Sequence, residues 1–383
     1  MCNLRFHMLF FRMKKSFQKL SKDRSHINSS WRRLQKRSRR VQRRKKLLSS
    51  EDIPDKDNYR LRDYKKPPSG KYLQGYIIVK APKKFSLVAN TEEMIRFINR
   101  LEYFRSQRVK KVFVDMRYVS FIDNGASIVL LSIIERFREA KVKFNGNFPI
   151  DAGTRKKMKE SGFFAELSKD HPEYYAGHST SKSRRIVTNT SIEVDSNVAA
   201  DLIRTATPFV FGCKKRCPGI QRTLVELMHN TNNHAAGSGN KHSKWWMSID
   251  TNIKGKTVAF SFIDYGIGIF SSLKSKKAGN QFFGWAQKLL DSGLGDPSRE
   301  SLFQMILEGK FHATVTDKSY RGKGLPGIYQ SLERNQMSKL FVVTNNVRAY
   351  VEEKRFDKIQ ENFDGTYYYF ELTDKQQNLS WNE

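Results

Sequence analysis

Three short stretches of the chain carry residue types suited to a phosphorylated ligand. In Leu224–Ala235, Glu226 and Asn230 are four residues apart, so any helix containing them presents both on one face. A carboxamide oxygen there is a hard ligand of the kind Mg²⁺ prefers. A carboxylate one turn away can orient or deprotonate a water attacking a γ-phosphate. In Val258–Ile269 an apolar run ends in Asp264-Tyr265-Gly266-Ile267-Gly268. A carboxylate at a strand tip can accept from the exocyclic amine of adenine, and glycines beyond it let the backbone approach a flat ligand without a Cβ clash. In Arg321–Tyr329, Gly322, Lys323 and Gly324 open a helical pattern. Main-chain N–H groups and the positive end of the helix dipole meet phosphates at such a start, and Lys323 adds charge.

The elements that must position these residues are legible in outline. From about residue 191, Val198, Leu202, Ile203 and Phe209 predict a first helix and Pro218–His234 a second, followed by a β-meander with helices to about residue 375. The segment 270–320 is long for a connection and carries Lys274, Lys276 and Lys277 near its start; Gln281–Leu290 and Ser301–Leu307 read as helices within it. Upstream, residues 71–166 alternate in pattern. Gly75–Val79, Val112–Met116 and Val142–Phe144 read as strands. Thr91 is an expected N-cap for a helix bearing Ile95, Ile98, Leu101 and Phe104. Asn124 opens a second helix with Ile128, Leu131, Ile134 and Phe137 on one face, and Ala152–Gly162 a third. This alternation predicts a small α/β layer domain. The polar stretch 167–190 reads as a linker and 376–383 as a tail.

Charge is unevenly spread. The chain carries 70 basic and 38 acidic residues, a net of +32 over 383 residues. Residues 1–70 hold 22 basic and 6 acidic residues, or +16, half of the excess. Their apolar residues form no stripe, so this basic arm and linker cannot bury enough surface to fold alone. Residues 14–46 are the expected contact for nucleic acid or another polyanion, through counterion release. No run of apolar residues is long enough for a transmembrane helix, and Met8–Phe11 lacks the features of a signal peptide. Three cysteines, Cys2, Cys213 and Cys217, argue against a disulfide framework and for a reducing cytoplasm. Cys213 and Cys217 lack the second ligand pair a zinc site needs.

Taken together, Glu226 and Asn230, the Asp264-x-Gly266-x-Gly268 turn, the Gly322-Lys323-Gly324 loop and the late Asp364-Gly365-Thr366 resemble the ordered motifs of the GHKL ATPases, the class of gyrase B, the large heat-shock chaperone, sensor histidine kinases and MutL. The resemblance implies a Bergerat-type α/β sandwich over 191–375 that binds ATP and Mg²⁺. Asn230 would ligate Mg²⁺, and Glu226 would be the general base. Asp264 would bind adenine with support from Thr366, while Gly266 and Gly268 shape the pocket. Gly322, Lys323 and Gly324 would hold phosphates at the end of a lid spanning about 270–320. The region Val112–Ala126 is similar to the central strand and switch loop of STAS (anti-sigma-factor-antagonist) domains. That loop usually reads Asp-Ser-Ser-Gly with the second serine phosphorylated. Here Asp123 is kept, but Gly125 stands at the acceptor position and Ser127 lies two residues late, so a docking or regulatory module without that phosphosite is implied, with a protein partner.

The resulting expectation is a cytoplasmic regulator: basic arm, STAS-like module, then an ATPase acting as a conformational switch. Two further functions fit the same motifs: a serine/threonine protein kinase of the anti-sigma type acting on a separate partner, and a non-catalytic ATP-gated module on nucleic acid. A sensor histidine kinase is disfavoured by the lack of a dimerisation helix pair with a phosphoacceptor histidine. A topoisomerase is disfavoured by length.

Overall fold

The computed structural model describes residues 75–107, 109–164, 184–189 (main chain), 194–235, 244–266, 268–273, 298–310 and 324–376. The basic arm, Gly322, Lys323 and most of the 270–320 segment, including the expected helix 281–290, lie outside the described residues. Residues 69–383 form one compact unit. Its architecture is mixed α/β, and among the described residues no helix is long and apolar enough to cross a membrane.

The N-terminal part begins with β1 (Ile77–Lys80) and β2 (Lys84–Phe85), followed by α1 (Thr91–Ser106), β3 (Lys111–Asp115) and β4 (Phe121–Ile122). Then come α2 (Asn124–Glu139), β5 (Lys143–Gly146) and α3 (Ala152–Glu160). Strands β1, β3 and β5 form a parallel sheet with β3 central, and β2 pairs with β4. A central parallel strand is covered on both faces, and Val112, Phe113 and Val114 are all buried. The start of α1 differs in detail from expectation. Asn90 occupies the cap position, and Thr91 is the first helical residue, its Oγ1 donating to the Leu87 carbonyl at 2.7 Å. The α2 start is capped by Asp123, whose Oδ1 accepts from the Ala126 N–H at 2.6 Å.

The C-terminal part opens with β6 (Arg184–Asn189), α4 (Ser196–Phe211), α5 (Pro218–Ala235), β7 (Trp245–Asn252) and β8 (Thr257–Asp264). It continues through α6 (Gly268–Leu273), α7 (Arg299–Leu307), α8 (Gly324–Glu333), β9 (Ser338–Tyr350) and β10 (Arg355–Thr373). The strands make an antiparallel sheet in the order β6-β7-β8-β10-β9. Strand β6 lies within 167–190, which the sequence assigned wholly to a linker. Its Arg-Arg-Ile-Val-Thr-Asn sequence has too short an apolar run to register without its partner β7.

Successive side chains point to opposite faces of a strand, and here both faces are buried. Trp245, Met247, Ile249, Phe260, Phe262, Tyr368 and Phe370 join the cluster formed with α4, α5, α7 and α8. Their neighbours Trp246, Ile263, Phe341, Val343, Phe363 and Tyr367 join the cluster formed with α1 and α2. The helix α2 packs against β7 and β8 as well as β5, and α1 against β10 as well as β1. These two helices therefore lie between the parallel and antiparallel sheets. The sequence stripe Ile128, Leu131, Ile134 and Phe137 accounts for only one side of α2. Every residue from Asn124 to Ile133 is buried, as befits a helix covered all round.

Gly125 sits at the centre of this contact. A Cβ added there would overlap the Tyr367 hydroxyl outright and stand 2.9 Å from Ser261 Oγ and 3.0 Å from Tyr367 Cζ. The Tyr367 and Ser261 hydroxyls are themselves 3.1 Å apart. The phenol thus fills the space that a side chain at position 125 would need. Beside it, Asn124 Nδ2 donates to the Ile249 carbonyl at 3.0 Å. Ser127 is equally enclosed, its Oγ donating to the Asp123 carbonyl at 3.3 Å. The start of α2, where the STAS-like switch loop is expected, is covered by this chain's own second sheet.

Candidate functional site

Helix α5 carries the first part of the site. Pro218 suits a first helical position, where its missing N–H costs nothing. Ile220, Leu224, Leu227 and Met228 are buried against the sheet, which leaves Glu226 and Asn230 half-buried and His229 exposed. The start of α8 abuts the face bearing the two polar residues. A Cβ on Gly324 would lie 3.0 Å from Glu226 Oε2, 3.4 Å from Asn230 Oδ1 and 3.6 Å from Asn230 Nδ2. Glycine at 324 leaves that cradle open and lets the first turn of α8 reach both groups. Among the described residues, no hydrogen bond engages the side chain of Glu226 or Asn230.

The second part lies at the end of β8. Asp264 Oδ1 accepts from the Thr366 main-chain N–H on β10 at 3.1 Å, and Oδ2 lies 3.1 Å from Thr231 Oγ1 on α5. The Thr231 hydroxyl is also 3.1 Å from the Leu227 carbonyl, so one proton is shared between two acceptors. Thr231 follows Asn230 directly, which places the two halves of the site next to each other along α5. Gly266 is exposed, with its Cβ position 4.0 Å from Asp264 Oδ1. Gly268 opens α6 at φ +73° and packs closely on the Asn345 side chain.

The structure therefore brings Glu226, Asn230 and Gly324 together, and ties Asp264 to Thr366 and to α5. Thr366 supports Asp264 through its main chain rather than its hydroxyl, while its Oγ1 is 3.5 Å from that of Thr344. Three residues escaped the sequence reading. Thr231 offered a signal, a lone hydroxyl inside the Glu226–Asn230 motif. Thr344 and Asn345 on β9 offered none; their side-chain oxygens accept from the Ile269 and Phe270 N–H groups at 3.0 and 3.2 Å and fix the start of the 270–320 segment. Elsewhere, Cys217 is buried and Cys213 exposed. Among the described residues no cluster of three or more His, Cys, Asp or Glu could hold a metal alone.

Chemically, the arrangement offers an oriented carboxylate at the inner end, and a carboxamide with a second carboxylate at the outer end beside a helix start. No family model matches the chain, and no curated protein matches it.

Burial pushes the Asp264 carboxyl up to about 6, against the hydrogen bonds from Thr231 and Thr366 that favour its charged form. Burial likewise pushes Asp123 up to about 6, against hydrogen bonds from Ser86 and Ala126, with Asp250 adding repulsion. Both groups bind a proton more tightly folded than unfolded. As pH falls from 7 through about 6, the folded state takes up protons that the unfolded chain, with carboxyls near 3.8, does not. Stability of the ligand-free protein is thus expected to rise between pH 7 and pH 5, by about 1 kcal/mol or more. Urea midpoints at the two pH values check this. Asp264→Asn should flatten part of the rise, and a rise as large as that of the wild type in both Asp264→Asn and Asp123→Asn would assign it to other groups.

Proposed function

We propose that residues 184–376 are a GHKL-class domain of the Bergerat type that binds Mg²⁺-ATP and hydrolyses it as a conformational switch, with residues 77–164 a STAS-like unit held against its back in cis. The observation that carries the reading is the convergence of four sequence-distant segments at the stretch Glu226–Thr231 of α5. Glu226, Asn230 and Thr231 come from the helix itself, Gly324 from the start of α8, Asp264 from β8 and Thr366 from β10.

In this reading Asp264, held by Thr231 and Thr366, accepts from the exocyclic amine of adenine. The first turn of α8 would offer the N–H groups of Gly324 and Leu325, though not of Pro326, which has none, to phosphate oxygens. Glu226, one helical turn from Asn230, orients the attacking water and takes its proton. The Asn230 amide oxygen, which no described hydrogen bond occupies, would hold Mg²⁺ together with phosphate oxygens and water. The ion supplies charge neutralisation on the phosphates when bound. The antiparallel sheet, with α4, α5, α7 and α8 packed on the face that bears Asp264, supports the same reading, because it holds both ends of the site on rigid elements.

Steady-state hydrolysis separates a switch from a plain binder. Glu226→Ala is expected to lower kcat by a factor of about 10²–10⁴, with the dissociation constant for ATP changed only a few-fold. Equal turnover in wild type and variant would remove Glu226 from the base role, and phosphate transfer to an added protein substrate instead of water would favour a kinase.

A further inference from the structure

The end of β8 has two sides. Asp264 faces α5, while the next residue, Tyr265, turns to the opposite face and enters the cluster shared with α1 and α2. There it is held from several directions. The Arg136 guanidinium of α2 lies 4.3 Å from the Tyr265 ring centroid, a cation–π geometry. The Tyr265 hydroxyl is 3.2 Å from Ser132 Oγ, one turn earlier on the same helix. Trp246 and Phe363 meet the ring edge-on, each at 6.0 Å between centroids.

Arg136 is itself fixed. Its Nη2 donates to Glu102 Oε2 of α1 at 3.0 Å, and Arg105 Nε donates to the same oxygen at 2.7 Å. Farther along α2, Glu139 meets Lys244 at 2.8 Å and Glu135 pairs with the same ammonium, tying α2 to the residue that precedes β7. A chain of polar contacts thus runs from the surface of α1 through Glu102, Arg136 and Tyr265 to the peptide that carries Asp264. Nothing in the hydrogen bonding of Asp264 to Thr231 and Thr366 requires this second support, yet adjacent residues of one strand end cannot move independently.

We infer that Arg136 and Ser132 are positioning residues for the base-reading carboxylate: by clamping Tyr265 from behind, the N-terminal layer sets where Asp264 points. This rests on the reading of Asp264 as the purine contact. A displaced carboxylate should lose adenine more than it loses the triphosphate, because an adenine presents an amine to Asp264 where a guanine presents a carbonyl.

The test uses the full chain and measures dissociation constants for Mg²⁺-ATP and Mg²⁺-GTP in wild type, Arg136→Ala, Arg136→Lys and Tyr265→Phe. Arg136→Ala is expected to weaken ATP about tenfold while leaving GTP nearly unchanged, so that the preference for ATP falls by about the same factor. Arg136→Lys, which keeps a cation for the ring, should recover most of it, and Tyr265→Phe should show a smaller loss of a few-fold. If Arg136→Ala does not fold, the few-fold loss in Tyr265→Phe carries the comparison, with Arg136→Lys as the conservative control. A wild-type preference retained in folded Arg136→Ala, or in Tyr265→Phe where the alanine variant does not fold, overturns the positioning role. A wild type that binds neither nucleotide overturns the purine reading itself, which is a distinguishable failure.

Discussion

Gly125→Ala is expected to lower the stability of the chain by about 3 kcal/mol, the upper range for overpacking a closed contact. The added methyl has no room, since Tyr367 and Ser261 occupy its space and both belong to the sheet core. A neighbour that is the far end of a lysine could swing aside at little cost. Tyr367 cannot, because its ring is fully buried and sits 6.4 Å from that of Phe341 in the same cluster. Tyr367→Phe alone is expected to cost about 1 kcal/mol through loss of the hydroxyl pair with Ser261. Combined, the two substitutions should be less damaging than their sum, because removing the phenol oxygen makes room for the methyl. A coupling of more than about 1 kcal/mol in that cycle is the expected result from urea melts. Strict additivity would mean that Gly125 and Tyr367 are not packed against each other.

That contact shows where reading the sequence stops. The motifs that proved to lie together were those with a local signature. Glu226 and Asn230 announce themselves by helical spacing, and Asp264 by an apolar strand running into glycines. Gly324 is visible as a glycine at a helix start. Each needs only a few consecutive residues to be recognised. The partnership of Gly125 with Tyr367 links positions far apart in the chain and has no local trace. The glycine alone looked like a lost hydroxyl, whereas its smallness admits a tyrosine from another layer. A hint was present in α2, where Ala126, Val129, Leu130 and Ile133 are apolar off the predicted stripe. A helix apolar on more than one side is covered on more than one side. Strand β6 was missed for the same reason, since an edge strand is defined by its neighbour. Thr231 shows a third limit. Its hydroxyl reaches Asp264 because α5 packs on the sheet beside β8, and the spacing of residues along α5 does not contain that packing.

Asp264→Asn is expected to weaken Mg²⁺-ATP binding by about 100-fold, the scale set by removing a charged acceptor from a site built around it. The carboxamide keeps an oxygen for the Thr366 N–H, so the local fold should persist. It also relieves a half-buried charge, so the ligand-free variant should be no less stable than wild type at pH 7 and slightly more so. Opposite signs for binding and stability are the signature of a residue kept for function at some cost to the fold. Loss of stability alongside loss of binding would instead mark Asp264 as a structural tie between α5 and β10. Acid should imitate the substitution. A carboxyl that gains its proton near pH 6 no longer offers a charged acceptor, so affinity for ATP should decline below that pH while the ligand-free protein becomes firmer.

The central claim is that the stretch Glu226–Thr231 of α5, with Asp264 beside it, grips an adenine nucleotide. Calorimetric titration of the full chain with ATP in the presence of magnesium, run on wild type and on Asn230→Ala, addresses it most directly. The account predicts one saturable site per chain in the wild type, and a marked loss of affinity in the variant that is reproduced when magnesium is removed. A wild type that takes up no adenine nucleotide, or a variant that binds as tightly as the wild type, would contradict it.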